Sequence, residues 1–268
     1  MSNLAPLDYP AEKLEPFGRQ RLMLECNNEI EAALRIPACS KEPWTVALIE
    51  SLSEGECFWD IGANVGSYTL LAAARRLVVV AFEPVSENYG TLCRNLALNG
   101  LLDQVIALPE ALGPTQGMVW MHRSDMRSGA ASHLVSDDNR KQTFHKQLVK
   151  VTSADFLLQT WKLPPPVAIK LDVDGTEPDV LAGMEGLLGY EGLRTLLVEL
   201  HQEWDGKLTA WLAERSWVVE EQYEQRGPIY YAKFGRKVGA EITAPTDEQR
   251  VLAMNAAGHN PFGGMPAT

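Results

Sequence analysis

The stretch CFWDIGANVGSYTLLAAARRLVVVAFEP, Cys57–Pro84, decides the fold. An apolar segment, Cys57–Ile61, leads through a glycine-rich turn into a helical pattern over Asn64–Arg75 and then into the valine-rich run Leu77–Phe82. A continuous apolar run of this length, without polar alternation, is typical of a strand covered on both faces, as in parallel sheets. The stretch therefore predicts a strand–helix–strand unit that joins two parallel neighbours.

The alternation of short apolar runs and helical patterns continues after this unit. Further strands are predicted at Val105–Leu108, Val167–Asp172 and Thr195–Leu200. Near the C-terminus, Trp217–Tyr223 and Ile229–Phe234 are predicted to pair antiparallel around a turn. The predicted helices are Ser86–Asn99, Ser153–Trp161, Glu177–Leu188 and Lys207–Arg215. The fold class that follows is α/β, with a mostly parallel, doubly wound sheet and an antiparallel C-terminal edge.

One domain over residues 53–236 is predicted, with two extensions and one insertion. A helical pattern at Gln20–Ile36 predicts a helical N-terminal extension over residues 1–52, and residues 237–268 are predicted to be a C-terminal extension. Between about residues 114 and 150 the alternation stops, and the polar sequence there predicts an irregular loop inserted into the domain.

The composition limits the partners that the chain can take. Its 268 residues are 46% hydrophobic and 22% charged, as in a packed globular protein. With 24 Lys and Arg against 35 Asp and Glu, the net charge is -11, which repels a nucleic-acid backbone. No apolar run approaches the roughly 20 residues of a membrane helix, and no signal-peptide core is found. We expect a cytoplasmic protein that binds neither nucleic acid nor a membrane; its oligomeric state stays open.

The glycine-rich turn predicts a cofactor site, because open α/β sheets bind ligands at the carboxyl ends of their strands. Its glycines allow close backbone approach and helix packing, and the N–H groups of the first helical turn favour an anion. An NAD fingerprint would need glycines where Asn64 and Ser67 stand, whereas S-adenosylmethionine needs only a place for its carboxylate and ammonium. The cofactor-binding residues predicted in this turn are Asp60, Gly62, Ala63, Asn64 and Gly66.

Two further strand ends support a nucleoside. Glu83 follows the second strand, where a carboxylate can accept both hydrogen bonds of a ribose diol. Glu110 and Ala111 follow the third strand, where an acid beside a small residue is predicted to meet the amine and the face of adenine. The sequence thus predicts S-adenosylmethionine as the cofactor.

Four segments of the chain resemble the FkbM family of S-adenosylmethionine-dependent methyltransferases. They are DIGANVGSYTLLAA at Asp60–Ala73, FEP at Phe82–Pro84, EALG at Glu110–Gly113 and KLDVDGTEPDVLAGM at Lys170–Met184. The resemblance implies a Rossmann-like class I methyltransferase fold and an enzyme that methylates a hydroxyl of a sugar, glycoside or natural product. The family often has Glu where Asp174 stands, and Asn or Asp where Glu110 stands.

Methyl transfer to a hydroxyl requires an aligned nucleophile and a group that accepts its proton. His201, at the end of the fifth strand, is the predicted catalytic base, and Asp172, at the end of the fourth, is predicted to orient it. In an alternative, Asp172, Asp174, Glu199 and His201 bind Mg²⁺, which lowers the pKa of the acceptor hydroxyl.

The insertion is the predicted substrate cover. It carries six Lys or Arg against three Asp, and its small-residue centre, Ser128–Ser132, suits a flexible lid over a polar small-molecule or glycan acceptor. Three other functions stay open, namely an NAD-linked oxidoreductase, a methyltransferase of another acceptor class, and a catalytically silent binding domain.

Overall fold

The strand predicted at Cys57–Ile61 lies at the centre of a seven-stranded sheet. The structure is a computed structural model, and it describes residues 11–13, 22–123, 125–130, 134–135, 145–224 and 227–237. The strands in chain order are β1 (Ala11–Lys13), β2 (Met23–Glu25), β3 (Cys57–Ile61), β4 (Val78–Phe82), β5 (Val105–Leu108), β6 (Ala111–Leu112), β7 (Gly117–Arg123), β8 (Leu134–Val135), β9 (His145–Thr152), β10 (Ala168–Leu171), β11 (Thr195–His201), β12 (Trp217–Glu224) and β13 (Ile229–Arg236).

The helices lie between these strands and before them. The α-helices are α1 (Ala38–Lys41), α2 (Pro43–Ser51), α3 (Ser67–Ala74), α4 (Ser86–Leu98), α5 (Ala154–Phe156), α6 (Glu177–Ala182), α7 (Glu185–Leu188) and α8 (Asp205–Ala213). The other helical segments are the π-helices Glu31–Arg35 and Leu157–Trp161 and the 3₁₀-helix Leu102–Gln104. In the described part of the chain, no helix is long and apolar enough to span a bilayer.

The strand order of the central sheet is β12-β13-β11-β10-β3-β4-β5. The run from β11 to β5 is parallel, whereas β13 is antiparallel to β11 and β12 is antiparallel to β13. This confirms the predicted α/β class with its antiparallel C-terminal edge. The order reverses next to β3, and at such a point the loops after neighbouring strands diverge and open a crevice for a ligand.

Alternating side chains of the buried strands face two separate cores. Phe58, Val79 and Ala81 pack in the core that contains α3 and the N-terminal helices. Trp59 and Phe82 pack in the other core, with their ring centroids 5.3 Å apart. Strands covered on both faces favour apolar residues at most positions, which explains the apolar run of β4 and the largely apolar sequence of β3.

The insertion differs from the irregular loop predicted there. β7 and β9 pair antiparallel over seven residues, and with β6 and β8 they form a second, four-stranded sheet. Its buried face packs Met121, Val149 and Val151 against Val85 at the start of α4. The exposed face carries the apolar side chains of Met118, Trp120 and Leu148, so the sequence lacks the period-2 alternation of a half-buried strand. The second sheet therefore adjoins the edge where β4 and β5 end.

The N-terminal extension also differs from the prediction, because Met23–Glu25 within the expected helix form a strand. Asn99 and Asn95 on α4 accept hydrogen bonds from the backbone N–H groups of Met23 (2.8 Å) and Glu25 (2.7 Å). These side chains accept hydrogen bonds from the backbone of β2. They are tertiary contacts, which the hydrophobic periodicity of the segment does not encode. Residues 238–268 of the expected C-terminal extension lie outside the described part.

The helix predicted at Glu177–Leu188 is divided into α6 and α7. At Gly183 a Cβ atom would lie 2.0 Å from the carbonyl oxygen of Gly113. The backbone directly after β6, a strand of the second sheet, therefore occupies the space that a side chain would need. The break lets the chain pack against the insertion instead of continuing as one helix.

Candidate functional site

A cavity opens at the carboxyl ends of β3, β4, β5, β10 and β11. The empty space of the cavity, including the open solvent at its mouth, is about 920 Å³. The predicted site residues that line it are Gly62, Asn64, Glu83, Glu110, Ala111, Asp172, Asp174 and Glu199. Residues from five strand ends, those of β3, β4, β5, β10 and β11, thus meet in one place, as the parallel sheet predicts.

The turn after β3 is shaped by its glycines. Gly62 has φ +84°, and a Cβ atom there would lie 1.8 Å from the carbonyl oxygen of Asp172. Gly66 has φ +90°, and its Cβ atom would lie 2.3 Å from Cδ1 of Leu92. Gly62 was predicted to allow close approach of a ligand. In the structure, the absence of a side chain at Gly62 allows close approach of the backbone at Asp172, directly after β10. This contact brings the turn against Asp172.

Glu83 joins the turn to the end of β4. Its Oε2 accepts a hydrogen bond from the backbone N–H of Asn64 (2.8 Å), and its Oε1 accepts one from Val85 (2.8 Å). Its burial raises the pKa of the carboxyl to about 7, although both backbone donors favour the charged form. Each oxygen retains a lone pair for a further donor, so the carboxylate can still accept a ribose diol.

Glu110 and Ala111 line the end of the cavity next to the second sheet. The Glu110 carboxylate accepts hydrogen bonds from Nζ of Lys150 and Oγ1 of Thr152, both at 2.7 Å. Both partners lie on β9, and Glu110 itself is 6% exposed. The insertion therefore fixes the acid that was predicted to meet adenine.

Asp60 and Ala63 are placed differently from the other residues predicted in the turn. Asp60 is 1% exposed and lies below the cavity wall, where its Oδ2 accepts a hydrogen bond from Oγ1 of Thr69 (2.6 Å). Burial raises the pKa of this carboxyl. Ala63 lines a smaller adjoining cavity together with Ser67 and Tyr68. Asp60 thus links β3 to α3, and it does not line the cavity.

Asp172 is held by two partners that the sequence did not reveal. Its Oδ2 accepts hydrogen bonds from Nζ of Lys170 (2.7 Å) and from the hydroxyl of Tyr231 (2.6 Å). Burial alone would raise the pKa of Asp172, but the Lys170 ammonium and these hydrogen bonds lower it to about 2. Asp172 therefore stays ionised at neutral pH.

Glu199 stands beside Asp172 at the same edge of the sheet. It lines the cavity, and its burial, together with the nearby charges of Asp172, Glu177 and Asp174, raises its pKa to about 10. Asp174 has φ +59° in the tight turn after β10. The Oε1 of Glu177 accepts hydrogen bonds from backbone N–H groups of that turn, so Glu177 has the structural role of holding it.

His201 lies away from the cavity, which does not fit its predicted role as the base oriented by Asp172. Its Nδ1 accepts a hydrogen bond from the backbone N–H of Glu203 (3.3 Å), and its ring stacks on Trp204. Strand alternation placed Glu199 and His201 on one face correctly, but the chain turns away directly after His201. Across the described ranges no three His, Cys, Asp or Glu side chains are grouped to hold a metal, so the alternative Mg²⁺ set is not assembled.

Part of the predicted cover lies over the cavity. Ala130 lines it, and the carbonyl oxygen of Ala130 accepts hydrogen bonds from Nδ2 of Asn64 (2.9 Å) and of Asn88 (3.3 Å). The backbone N–H of Gly129 donates to Oδ1 of Asn88 (2.8 Å). Residues 131–133 of the cover lie outside the described part. The short stretch at Gly129 and Ala130 is thus fastened to the cofactor turn and to α4.

Two charged cavity residues were not predicted from the sequence. Arg35 and Lys41, from the N-terminal extension, line the cavity together with the acids. No motif marks them, because they precede the strand–helix alternation and reach the site only through the packing of α1 and α2.

Comparisons with known proteins agree with the motifs. The family model described as the methyltransferase FkbM domain matches residues 60–224. A curated relative, the hexuronic acid methyltransferase AglP of Haloferax volcanii, is 29% identical over 160 residues, covering 60% of this chain and 62% of the relative. The chain therefore spans less than two thirds of the length of this relative.

Solved methyltransferase structures are also similar. Magnesium protoporphyrin IX methyltransferase from Synechocystis PCC 6803, with bound S-adenosylmethionine, has a TM-score of 0.48 and 11% identity and covers 79% of this chain and 86% of that one. Precorrin-6y C5,15-methyltransferase from Geobacter metallireducens has a TM-score of 0.45 and 14% identity and covers 73% and 87%. Together with the strand order, the family match confirms the Rossmann-like class I methyltransferase fold.

Proposed function

The chain belongs to the FkbM methyltransferase family, and from this premise we propose that it transfers the methyl group of S-adenosylmethionine to a hydroxyl of a sugar. One observation carries the proposal. A single cavity contains Glu83, suited to a ribose diol, and an acidic edge formed by Asp172, Asp174 and Glu199. The curated relative that acts on a hexuronic acid supports a sugar as the acceptor.

The cavity residues fit the parts of the cofactor in order. Glu110 and Ala111 suit adenine, Glu83 suits the ribose, and the turn at Gly62–Gly66 suits the methionine end. The acidic edge then lies where the sulfonium would be, and negative side chains favour its positive charge. When bound, S-adenosylmethionine supplies an electrophilic methyl group, which leaves as a neutral thioether forms.

We assign the proton of the acceptor hydroxyl to Glu199. The acceptor oxygen forms its bond to the methyl carbon, the carbon–sulfur bond breaks, and the hydroxyl proton passes to the carboxylate. A bound sulfonium would lower the pKa of Glu199 and so favour its ionised form before transfer. Once that charge is consumed, burial and the neighbouring acids raise the pKa again and favour the protonated carboxyl. Asp172, with a pKa of about 2, is a poor base and serves to align the acceptor and favour the sulfonium.

The oxidoreductase alternative is not favoured by the turn. Where a dinucleotide site needs a bare glycine, the Asn64 side chain accepts a hydrogen bond from Val65 N–H (2.9 Å) and donates to Ala130. This side chain fills the space that a pyrophosphate would approach.

The test combines cofactor binding with turnover. Calorimetry should give binding of S-adenosylhomocysteine and none of NAD. Purified protein incubated with methyl-labelled cofactor and a panel of uronic-acid and neutral glycosides should then yield a labelled glycoside by mass spectrometry. Glu199→Gln should abolish most of the product, whereas Glu203→Gln, an exposed acid beyond the end of the same strand, should not. Binding of NAD alone, or equal loss in both variants, would contradict the proposal.

A further inference from the structure

Two cations stand in an otherwise acidic cavity. Five acids line it in the described residues, Glu83, Glu110, Asp172, Asp174 and Glu199, and the cationic side chains that line it there are Arg35 and Lys41. Both cations precede the matched family domain, which begins at residue 60. They also line the smaller cavity beside the cofactor turn, so they stand where the two spaces join.

Arg35 is held by hydrogen bonds that use only part of its guanidinium N–H groups. Its Nε and Nη2 donate to the carbonyl oxygen of Gly129 at 2.9 and 2.6 Å. The backbone oxygen of Arg35 accepts a hydrogen bond from Oγ of Ser67 at the start of α3 (3.2 Å). A guanidinium has five N–H donors, so three remain after these two hydrogen bonds within the described part of the chain. The residue is thus held between the cover and the cofactor turn, with its charge at the cavity.

Lys41 provides a second positive charge that is only partly neutralised. Its Nζ lies 3.1 Å from Oε1 of the buried Glu42, and its side chain is 39% exposed. Lys170, the third cation near the smaller cavity, is 2% exposed and donates to Asp172 (2.7 Å), so its charge is already paired. An anionic ligand group at this junction would therefore meet Arg35 and Lys41.

We propose that Arg35 and Lys41 bind a carboxylate group, either that of the cofactor's methionine end or that of an acidic sugar acceptor. The proposal rests on the proposed function, which brings both groups to this cavity. The five acids suit the sulfonium and the ammonium of the cofactor but repel a carboxylate. A carboxylate bound in this cavity therefore needs a cationic side chain beside it.

The first experiment tests the cofactor as the source of the carboxylate. Calorimetry compares S-adenosylhomocysteine with its decarboxylated analogue, which keeps the amine, on Arg35→Gln and Lys41→Gln. The control is Arg76→Gln, whose side chain is 75% exposed at the far end of α3. If the cofactor is the source, Kd for S-adenosylhomocysteine rises about tenfold or more in both variants, while Kd for the analogue stays at the parent value.

The second experiment tests the acceptor. With S-adenosylhomocysteine present, binding of methyl glucuronide is compared with binding of methyl glucoside on the same variants. If the acceptor is the source, only the glucuronide loses affinity, again by about tenfold or more.

The proposal is overturned if neither carboxylate-bearing ligand loses affinity, or if each loses affinity equally with its counterpart that lacks the carboxylate. Equal loss would assign Arg35 only the structural role of holding the cover, and thermal melting of each variant identifies a loss that comes from unfolding. A parent protein that binds neither S-adenosylhomocysteine nor its analogue would instead refute the proposed function.

Discussion

The substitution Glu83→Gln tests the nucleoside assignment most directly. Each carboxylate oxygen of Glu83 accepts one buried backbone N–H, so an amide nitrogen at either position faces a donor instead of an acceptor. An unsatisfied buried donor costs about 1–3 kcal/mol, which we expect as the loss in the free energy of unfolding. Hydrogen bonds from the ribose to a charged acceptor contribute about 1.5–3 kcal/mol, so the Kd of S-adenosylhomocysteine should rise about 10- to 150-fold.

The assay separates the ribose contact from damage to the turn. Calorimetry compares S-adenosylhomocysteine with its 2′-deoxy analogue on the parent, on Glu83→Gln and on Glu54→Gln, an exposed acid that serves as the control. The parent and the control should prefer the natural diol, and the variant should lose most of that preference. If Glu83→Gln discriminates between the two ligands as strongly as the parent, Glu83 does not contact the diol and the reasoning fails.

The same carboxyl predicts a pH dependence. Burial raises the pKa of Glu83 to about 7 from the ordinary 4.5, so between these values the folded protein holds a proton that the unfolded chain has released. Its stabilising contribution is therefore lost as the pH rises through that window, while affinity for the ribose rises as the carboxylate forms. Binding of S-adenosylhomocysteine should strengthen from pH 6 to 8 in the parent, and this trend should flatten in Glu83→Gln.

Three further predictions follow from the site. Glu199→Gln should slow methyl transfer about 10²- to 10⁴-fold with little change in cofactor affinity, whereas His201→Ala should stay within a few-fold of the parent rate. Single-turnover kinetics measure both rates. A larger loss in His201→Ala than in Glu199→Gln would restore His201 as the base. Gly62→Ala should destabilise the fold by about 2–5 kcal/mol in chemical denaturation, because its Cβ would strike Asp172, whereas Gly55→Ala, with a similar φ and open space, should cost about 1–2 kcal/mol. Activity should persist in EDTA, because no metal-binding group of side chains is assembled in the described ranges, and its restoration by Mg²⁺ would show the opposite.

The central sheet and one edge of the site could be predicted from the sequence for a physical reason. Parallel strands end at the same edge, so Gly62, Glu83, Glu110 and Asp172 had to lie close together once their strands were identified. The strand at Gly117–Arg123 could not be predicted from alternation, because its exposed residues Met118 and Trp120 are apolar.

Other features depended on tertiary packing. Strand alternation correctly predicted that Glu199 and His201 lie on the same face of the strand. It did not predict that the chain leaves the sheet directly after His201. Lys170 and Tyr231 reach Asp172 from two different strands, and only the register between them puts both donors on one oxygen. Arg35 lies in a segment whose helical pattern does not indicate that it packs against the site.

The position of a transferred methyl group tests the central claim most directly. Purified protein is incubated with S-adenosylmethionine carrying a deuterated methyl group and with a uronic-acid glycoside, and the product is analysed by mass spectrometry before and after treatment with alkali. The proposed function predicts a label that survives alkali, because a methyl ether on a sugar hydroxyl is stable, and that is lost in Glu199→Gln. A label removed by alkali would place the methyl group on the carboxylate as an ester and contradict the assignment of a hydroxyl acceptor, and no label on any glycoside of a broad panel would contradict sugar methylation itself.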